Sequence, residues 1–331
     1  MEYRTLQVTE EPDGSFSRRI TVLNSGDLPR KGNLVRVLYS SLNYKDALSA
    51  SGNKGITRHY PHTPGIDASG LIESNESGLF RPGDPVIITG YDLGMNTLGG
   101  FGEYINVPDE WIVPKPASLS PEESMIFGTA GFTAALSVHH LLRCGQHPGQ
   151  GPILVTGASG GVGSMAIALL ALNGFEVIAS TGKPDLTDYL LKLGAKSVIG
   201  RSETDDQSGK FLLRPRWAGG IDTVGGNTLA TLLKSCREHG NVACCGNVAS
   251  PLLHTTVFPF ILNGISLLGI NSATTPMSLR KEIWDKLAGE WKPGNLREMK
   301  TVITLEDLDY QISQILQGKV KGRVVLRHHV Q

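Results

Sequence analysis

From residue 153 onward, short runs that are apolar at nearly every position alternate with longer stretches of helical character. The runs are Ile153–Thr156, Phe175–Ser180, Ser197–Gly200, Ile221–Val224, Asn241–Cys245 and Ser266–Ile270. Candidate helices fall between them at Val162–Leu172, Asp185–Leu193 and Asn227–Arg237. A strand that is hydrophobic on both faces must be covered on both, which is the condition of a parallel sheet flanked by crossover helices. The pattern therefore predicts an α/β fold whose core is a doubly wound, six-stranded parallel sheet. Residues 1–124 read differently: Leu34–Tyr39, Pro85–Thr89 and Glu103–Val107 alternate in polarity and are separated by Gly and Pro turns. They predict a twisted, mostly antiparallel barrel or sandwich with little helix. Beyond Asn271 a helix over Leu279–Ala288 and a strand over Arg323–Leu326 are expected to return to that first domain. The expected organisation is thus a first domain of residues 1–124, completed by 273–331, with a nucleotide-type domain inserted at 125–272.

Composition narrows the field. A length of 331 residues suits two domains, since single domains run to roughly 100–200 residues. Lys plus Arg and Asp plus Glu both total 31, so there is no net field to hold nucleic acid or an anionic membrane surface. The start, Met1-Glu2-Tyr3-Arg4, has neither a basic nor an apolar leader region, and secretion is not expected. The four cysteines, Cys144, Cys236, Cys244 and Cys245, form no C-x-x-C pair; reduced thiols and a cytoplasmic location follow. Residues 148–175 carry no charged side chain, but the glycine turn in their middle would leave backbone groups unsatisfied in lipid, so no membrane span is expected. The 40 glycines have no triplet period and fall as punctuation between apolar runs.

The most informative of these glycines lie in Ile153-Leu154-Val155-Thr156-Gly157-Ala158-Ser159-Gly160-Gly161-Val162-Gly163, a strand running through a turn into a helix. That context is what a dinucleotide fingerprint needs: glycines permit the tight turn and close backbone approach, while free helix N–H groups face a pyrophosphate. The G-x-x-G-x-x-G spacing departs from G-x-G-x-x-G by one residue. An NAD site usually carries an acidic residue at the end of the second strand. Here that strand leads into Thr181-Gly182-Lys183, Glu176 lies at its start, and Arg201 follows the third strand. A hydroxyl and two cations suit a 2′-phosphate through charge-assisted hydrogen bonds, so NADP is favoured over NAD.

The arrangement resembles the medium-chain dehydrogenase/reductase superfamily, with a GroES-like first domain. Where its zinc enzymes carry ligands, this chain has Ser40-Ser41-Leu42-Asn43-Tyr44-Lys45-Asp46 and Pro64-Gly65-Ile66-Asp67-Ala68-Ser69-Gly70, without Cys or His. No metal is expected; His59 and His62 read as surface or hinge residues, and the pairs His139-His140 and His328-His329 diverge. Ser41–Ala47, Pro64–Asp67, Gly128–Ala134, Val155–Gly163, Ile221–Gly225, Pro259–Leu262 and the closing Lys321-Gly322-Arg323 are together similar to one zinc-free branch, the acryloyl-CoA reductase family with its YhdH- and YhfP-type quinone oxidoreductases.

That resemblance implies NADPH-dependent reduction of an activated carbon–carbon double bond, with acryloyl-CoA giving propionyl-CoA. It places Tyr44 beside the nicotinamide, Ser159, Gly160, Gly161 and Val162 on the pyrophosphate, and Thr181, Gly182, Lys183 and Arg201 around the 2′-phosphate. Asn247, Ile261, Ser272 and Gly318 complete the implied groove. Relatives commonly have an arginine where this chain has Lys183, which keeps the charge but loses the bidentate fork. The residues singled out for chemistry are Asn43, Tyr44, Asp46 and Arg323: Tyr44 or a bound water delivers the α-proton, Asn43 and Asp46 fix the loop, and Arg323 orients the substrate. The structural alternatives are that Asp46 caps the helix its loop begins and that Arg323 is its partner. Asp67 is given no role. Lys45, Lys54, Arg58 and Lys321 are candidate cations for CoA phosphates. Rival functions are a quinone or enone oxidoreductase and a non-catalytic NADPH-binding module. A homodimer is implied.

Overall fold

The computed structural model describes residues 1–29 and 32–329, which divide into two compact units. One comprises Met1–Thr129, Ala273–Gly289 and Leu296–Gln331; the other comprises Ala130–Ser272 with Glu290–Asn295. The division falls at 129/130 rather than the expected 124/125, because Thr129 is hydrogen-bonded to Asp67 of the first unit. Residues 290–295 join the second unit, where Asn295 donates to the Lys192 carbonyl.

The first unit opens with the antiparallel pair β1 (Glu2–Glu10) and β2 (Phe16–Asn24). Then come β3 (Asn33–Leu42), α1 (Tyr44–Ser49), β4 (Asp67–Asn75), β5 (Pro85–Thr89), β6 (Tyr104–Val107) and β7 (Ile112–Pro114). Helix α2 (Pro121–Arg143) carries the chain out of this unit into the other. In β3, buried Val35 and Val37 alternate with half-buried neighbours, as period-2 side chains on a one-sided sheet must. The alternation stops at Ser40, Ser41 and Leu42, all buried, so β3 delivers polar groups into the interior just before α1.

The second unit contains β8 (Ile153–Val155), α3 (Gly161–Leu172), β9 (Val177–Thr181), α4 (Thr187–Lys192), β10 (Ser197–Gly200), β11 (Trp217–Asp222), α5 (Gly226–Lys234), β12 (Cys236–Cys244), α6 (Phe258–Asn263) and β13 (Ser266–Gly269). Its sheet has six strands in the order β10-β9-β8-β11-β12-β13, all parallel. The connection reverses direction beside β8, which is where open α/β sheets form a crevice at the strands' carboxyl ends. Helix α3 is buried continuously from Gly163 to Leu170, which accounts for the uncharged run through 175.

The chain then returns to the first unit as α7 (Met277–Ala288), β14 (Lys300–Ile303), α8 (Leu308–Leu316) and β15 (Arg323–Arg327). There β15 pairs antiparallel with β3 and parallel with β14, closing a seven-stranded sheet of order β14-β15-β3-β4-β5-β7 in which β6 also pairs with β3. Leu6, Val8, Leu42, Leu308, Ile312 and Leu326 share one core of this unit; Val35, Ile72, Ile88 and Ile105 share a second.

Besides the short α6, two helices escaped the sequence pattern. In α2 the run Gly128-Thr129-Ala130-Gly131-Phe132-Thr133 has poor helix propensity, and Gly128 interrupts the helical dihedrals with φ 49° and ψ −155°. This helix is long and apolar enough to cross a membrane, but 83% of its apolar window is buried within the protein. The second, α8, is held by Leu308 and Ile312 in the core. The expected helix Asn227–Arg237 instead ends at Lys234: Ser235 receives the Trp217 indole N–H, and Cys236 pairs with Trp217 as β12 begins.

Candidate active site

The glycine turn lies at the carboxyl end of β8. Gly157 has φ +58°, and a Cβ there would collide with the Thr223 hydroxyl; one at Gly163 would collide with the Gly157 carbonyl. Gly160 is the N-cap of α3, so the free N–H groups of its first turn, beginning at Gly161 and Val162, open beside Ser159. Thr181, which ends β9, donates its hydroxyl to Ser159 Oγ at 3.3 Å and accepts from the Lys183 N–H at 3.1 Å. One cleft is lined by Gly157, Ser159, Ser180, Thr181, Gly182, Lys183, Arg201 and Thr204, with Thr156, Val224 and Thr228 behind. Burial first, and Arg201 as a like charge, lower the pKa of Lys183, while Asp185 opposes them. A concave site that gathers two cations and several hydroxyls has the chemistry to receive an anionic ester. Beneath it, Asp222 accepts from Thr156 Oγ1 at 2.7 Å and from the Gly225 N–H at 2.8 Å, tying the ends of β8 and β11 together.

The other expected cofactor residues do not line this cleft. Asn247 is exposed after β12, Ile261 is 67% exposed on α6, and Ser272 accepts from Thr133 Oγ1 at 2.8 Å. Gly318 is exposed past α8 with φ +67°, in the first unit with Tyr44.

In the first unit, Asn43 and Asp46 form a reciprocal capping box at the start of α1. Asp46 is fully buried and accepts from the Asn43 and Ile66 N–H groups, both at 2.8 Å. Tyr44, the first residue of α1, is half-buried, and its hydroxyl makes no hydrogen bond to any described residue. The hub is Asp67, for which the sequence offered no role. It accepts from Ser41 Oγ at 2.6 Å, Asn43 Nδ2 at 2.8 Å and Thr129 Oγ1 at 2.5 Å, with Arg323 Nη2 at 3.6 Å. The stretches that carry metal ligands in zinc enzymes of this fold are here an ion and hydrogen-bond cluster.

Arg323 departs from its expected role. It is 3% exposed, and its donors go to the carbonyls of Ile126 and Leu42, Asn43 Oδ1 and Ser41 Oγ. It is a brace beneath the loop, and its carboxylate partner is Asp67 rather than Asp46, because the guanidinium lies under β3 and the start of β4. His62 is likewise buried, at 4% exposure, since its backbone pairs with Val8 of β1; His59 is exposed. Lys54 is engaged with Glu10 at 2.5 Å and lies over the rings of Phe16 and Tyr60.

Burial first, then the charge of Asp67, pushes the Asp46 carboxyl up to about 7, against the bonds from Asn43 and Ile66. A carboxyl with a higher pKa in the folded state binds its proton more tightly there. Its stabilisation is present below the unfolded value near 3.8 and is lost as pH rises through about 7. His328, lowered to about 4 chiefly by burial, contributes the opposite slope. The effect of Asp46 is therefore read as the difference in thermal midpoint between the wild type and Asp46→Asn. We expect that difference to shift against the wild type from pH 5 to pH 8; a constant difference would show that Asp46 does not titrate in this range.

Fold and clusters together define a class, the two-unit oxidoreductases that combine a GroES-like unit with a doubly wound sheet. Residues 30–117 match the alcohol dehydrogenase GroES-like domain family and residues 161–289 match the zinc-binding dehydrogenase family. YhfP of Bacillus subtilis, which is provisionally named a quinone oxidoreductase, is 42% identical over 98% of each chain. The acrylyl-CoA reductase AcuI of Ruegeria pomeroyi is 41% identical over 96% of each. The crystal structure of the YhdH oxidoreductase from Salmonella enterica in complex with NADP has a TM-score of 0.95 at 39% identity, covering 99% of this chain and 100% of that one. The Bacillus subtilis YhfP structure with NAD bound has a TM-score of 0.96 at 41% identity, with the same coverage. The chain belongs to the medium-chain dehydrogenase/reductase superfamily, in the family of these acrylyl-CoA reductases and YhdH/YhfP oxidoreductases.

Proposed function

We propose that this protein uses NADPH to reduce an activated carbon–carbon double bond, with acryloyl-CoA as the leading substrate and propionyl-CoA as product. The observation that carries the cofactor half is the cleft holding Lys183 and Arg201 beside Thr181 and the glycine turn. Ser159, Gly160, Gly161 and Val162 would hold the pyrophosphate and Thr181, Gly182, Lys183 and Arg201 the 2′-phosphate. Asn247, Ile261, Ser272 and Gly318 are the other residues proposed to bind the cofactor. Bound NADPH supplies the hydride. A conjugated thioester accepts hydride at its β-carbon and needs only positioning and stabilisation of the enolate oxygen, so no metal step is invoked.

In this reading the capping box and Asp67 fix the loop, and Tyr44 delivers a proton to the α-carbon of the enolate and is reprotonated from solvent. Its hydroxyl has no hydrogen-bond partner among the described residues, whereas Asn43, Asp46 and Arg323 are engaged with the protein. Tyr44→Phe is expected to lower kcat about 100-fold, the usual scale of positioned proton transfer. An unchanged kcat would assign the proton to water.

The second reading keeps NADPH and makes a quinone or free enone the acceptor, and the provisional name of YhfP favours it. Lys54 is already paired with Glu10, and Lys45, Arg58 and Lys321 are the other candidate cations for CoA phosphates. Following NADPH absorbance with acryloyl-CoA, crotonoyl-CoA and a soluble quinone side by side separates the readings. Faster turnover of acryloyl-CoA is expected; activity with the quinone alone would overturn the leading assignment, and binding without turnover of any acceptor would favour a non-catalytic module. We further propose a cytoplasmic homodimer. Free thiols at all four cysteines suit a reducing compartment. The edge strand β13, with exposed Val257 and Leu262 nearby, offers a pairing surface for a second copy.

A further inference from the structure

Beneath the two cations of the cleft lies a pair of hydroxyls that the cofactor reading does not use. Arg201 opens a 3-10 turn, Arg201–Thr204, directly after β10. Thr204 closes that turn: it is 1% exposed, and its hydroxyl donates to the Arg201 carbonyl at 2.9 Å. With that proton committed, Ser180 is the donor in the 3.1 Å bond between the Ser180 and Thr204 hydroxyls. Ser180 is itself buried on β9, two residues before Gly182. The Arg201 turn is thereby fastened to the neighbouring strand as well as to itself.

The register gives this fastening a direction. Gly200 sits beside Thr181 in the parallel pair, so Arg201 leaves β10 level with Gly182. A Cβ on Gly182 would lie 2.8 Å from Arg201 Nη2, so the guanidinium rests against the bare backbone of that glycine. Arginine loses much rotamer freedom when it binds an anion, and holding the root and one face of the side chain in advance lowers that cost.

We propose that Thr204 is a specificity-determining position: paired with Ser180, it fixes the turn that aims Arg201 at the 2′-phosphate and so sets the preference for NADPH over NADH. This rests on the reading that Arg201 takes the 2′-phosphate.

The test is calorimetric titration of the purified full-length protein with NADPH and with NADH, read as the ratio of the two dissociation constants. Arg201→Ala is expected to reduce the preference for NADPH about 10- to 100-fold, the range for lost charge-assisted bonds. Thr204→Val, which removes the hydroxyl and keeps the volume, is expected to reduce it about three- to ten-fold. Thr204→Ser should restore it, and Thr204→Val should add nothing in the Arg201→Ala background. If Arg201→Ala reduces the preference and Thr204→Val does not, the proposal falls while the cofactor reading stands. If Thr204→Val weakens both cofactors equally, its role is structural only and the proposal is overturned. If Arg201→Ala leaves the ratio intact, the reading of Arg201 fails and the proposal fails with it.

Discussion

Gly128→Ala is expected to unfold the first unit or to leave it severely destabilised. The residue has φ 49° and ψ −155°, a region that side chains enter at a cost of about 1–3 kcal/mol. Its missing Cβ faces the polar cluster directly: a methyl group there would lie 2.5 Å from Asp67 Oδ2 and from Ser41 Oγ, and 2.8 Å from Arg323 Nη2. None of those atoms can withdraw without breaking a bond made in the interior, so overpacking adds a further ~1–3 kcal/mol. Such a sum is a large share of the roughly 5–15 kcal/mol that holds a domain folded. Urea denaturation followed by circular dichroism measures it. A Gly128→Ala protein with the wild-type midpoint would mean that the cluster rearranges without penalty.

Arg323→Met is expected to cost about 3–5 kcal/mol, because it leaves the buried Asp67 carboxylate without its cation. Asp67 is 0% exposed and Asp46 likewise, and the carbonyls of Ile126 and Leu42 would lose donors as well. The diagnostic variant is the double replacement Arg323→Met with Asp67→Asn, which removes a charge from each side. It should recover part of the loss, since a buried charge without its partner is the costly species. If the single variant is as stable as the wild type, or if the double variant is less stable by the full sum of both changes, the ion pair is not what holds this cluster.

The parallel sheet was legible in the sequence because strands covered on both faces are written as unbroken apolar runs. The phosphate turn was legible because its glycines serve local geometry: Gly157 and Gly163 must avoid atoms supplied by the turn itself or by the adjacent strand end. Asp67 was not legible. Its partners Ser41, Asn43, Thr129 and Arg323 are scattered along the chain, with Thr129 lying 62 residues away, and none is an unusual residue type at its position. Helix α2 was hidden for a related reason. Gly128 and Gly131 read locally as a turn, and burial of Met125, Phe127, Phe132 and Ala135 overrides that preference. The tight turn at Arg201 was visible as a cation after a strand, but its fastening to Ser180 depends on the register of β9 and β10, which sequence spacing does not specify.

The closure of the first unit by β15 sets the order in which the chain can finish folding during synthesis. Its partner β3 is synthesised early, yet the antiparallel edge that accepts Val324 to Arg327 stays open until those residues have been added. The nearly contiguous 130–272 unit has all six of its strands available well before that. A nascent chain would therefore carry a completed six-stranded sheet while the first unit is still unfinished, its exposed β3 edge a point where chaperone capture or mispairing between growing chains competes with the native strand.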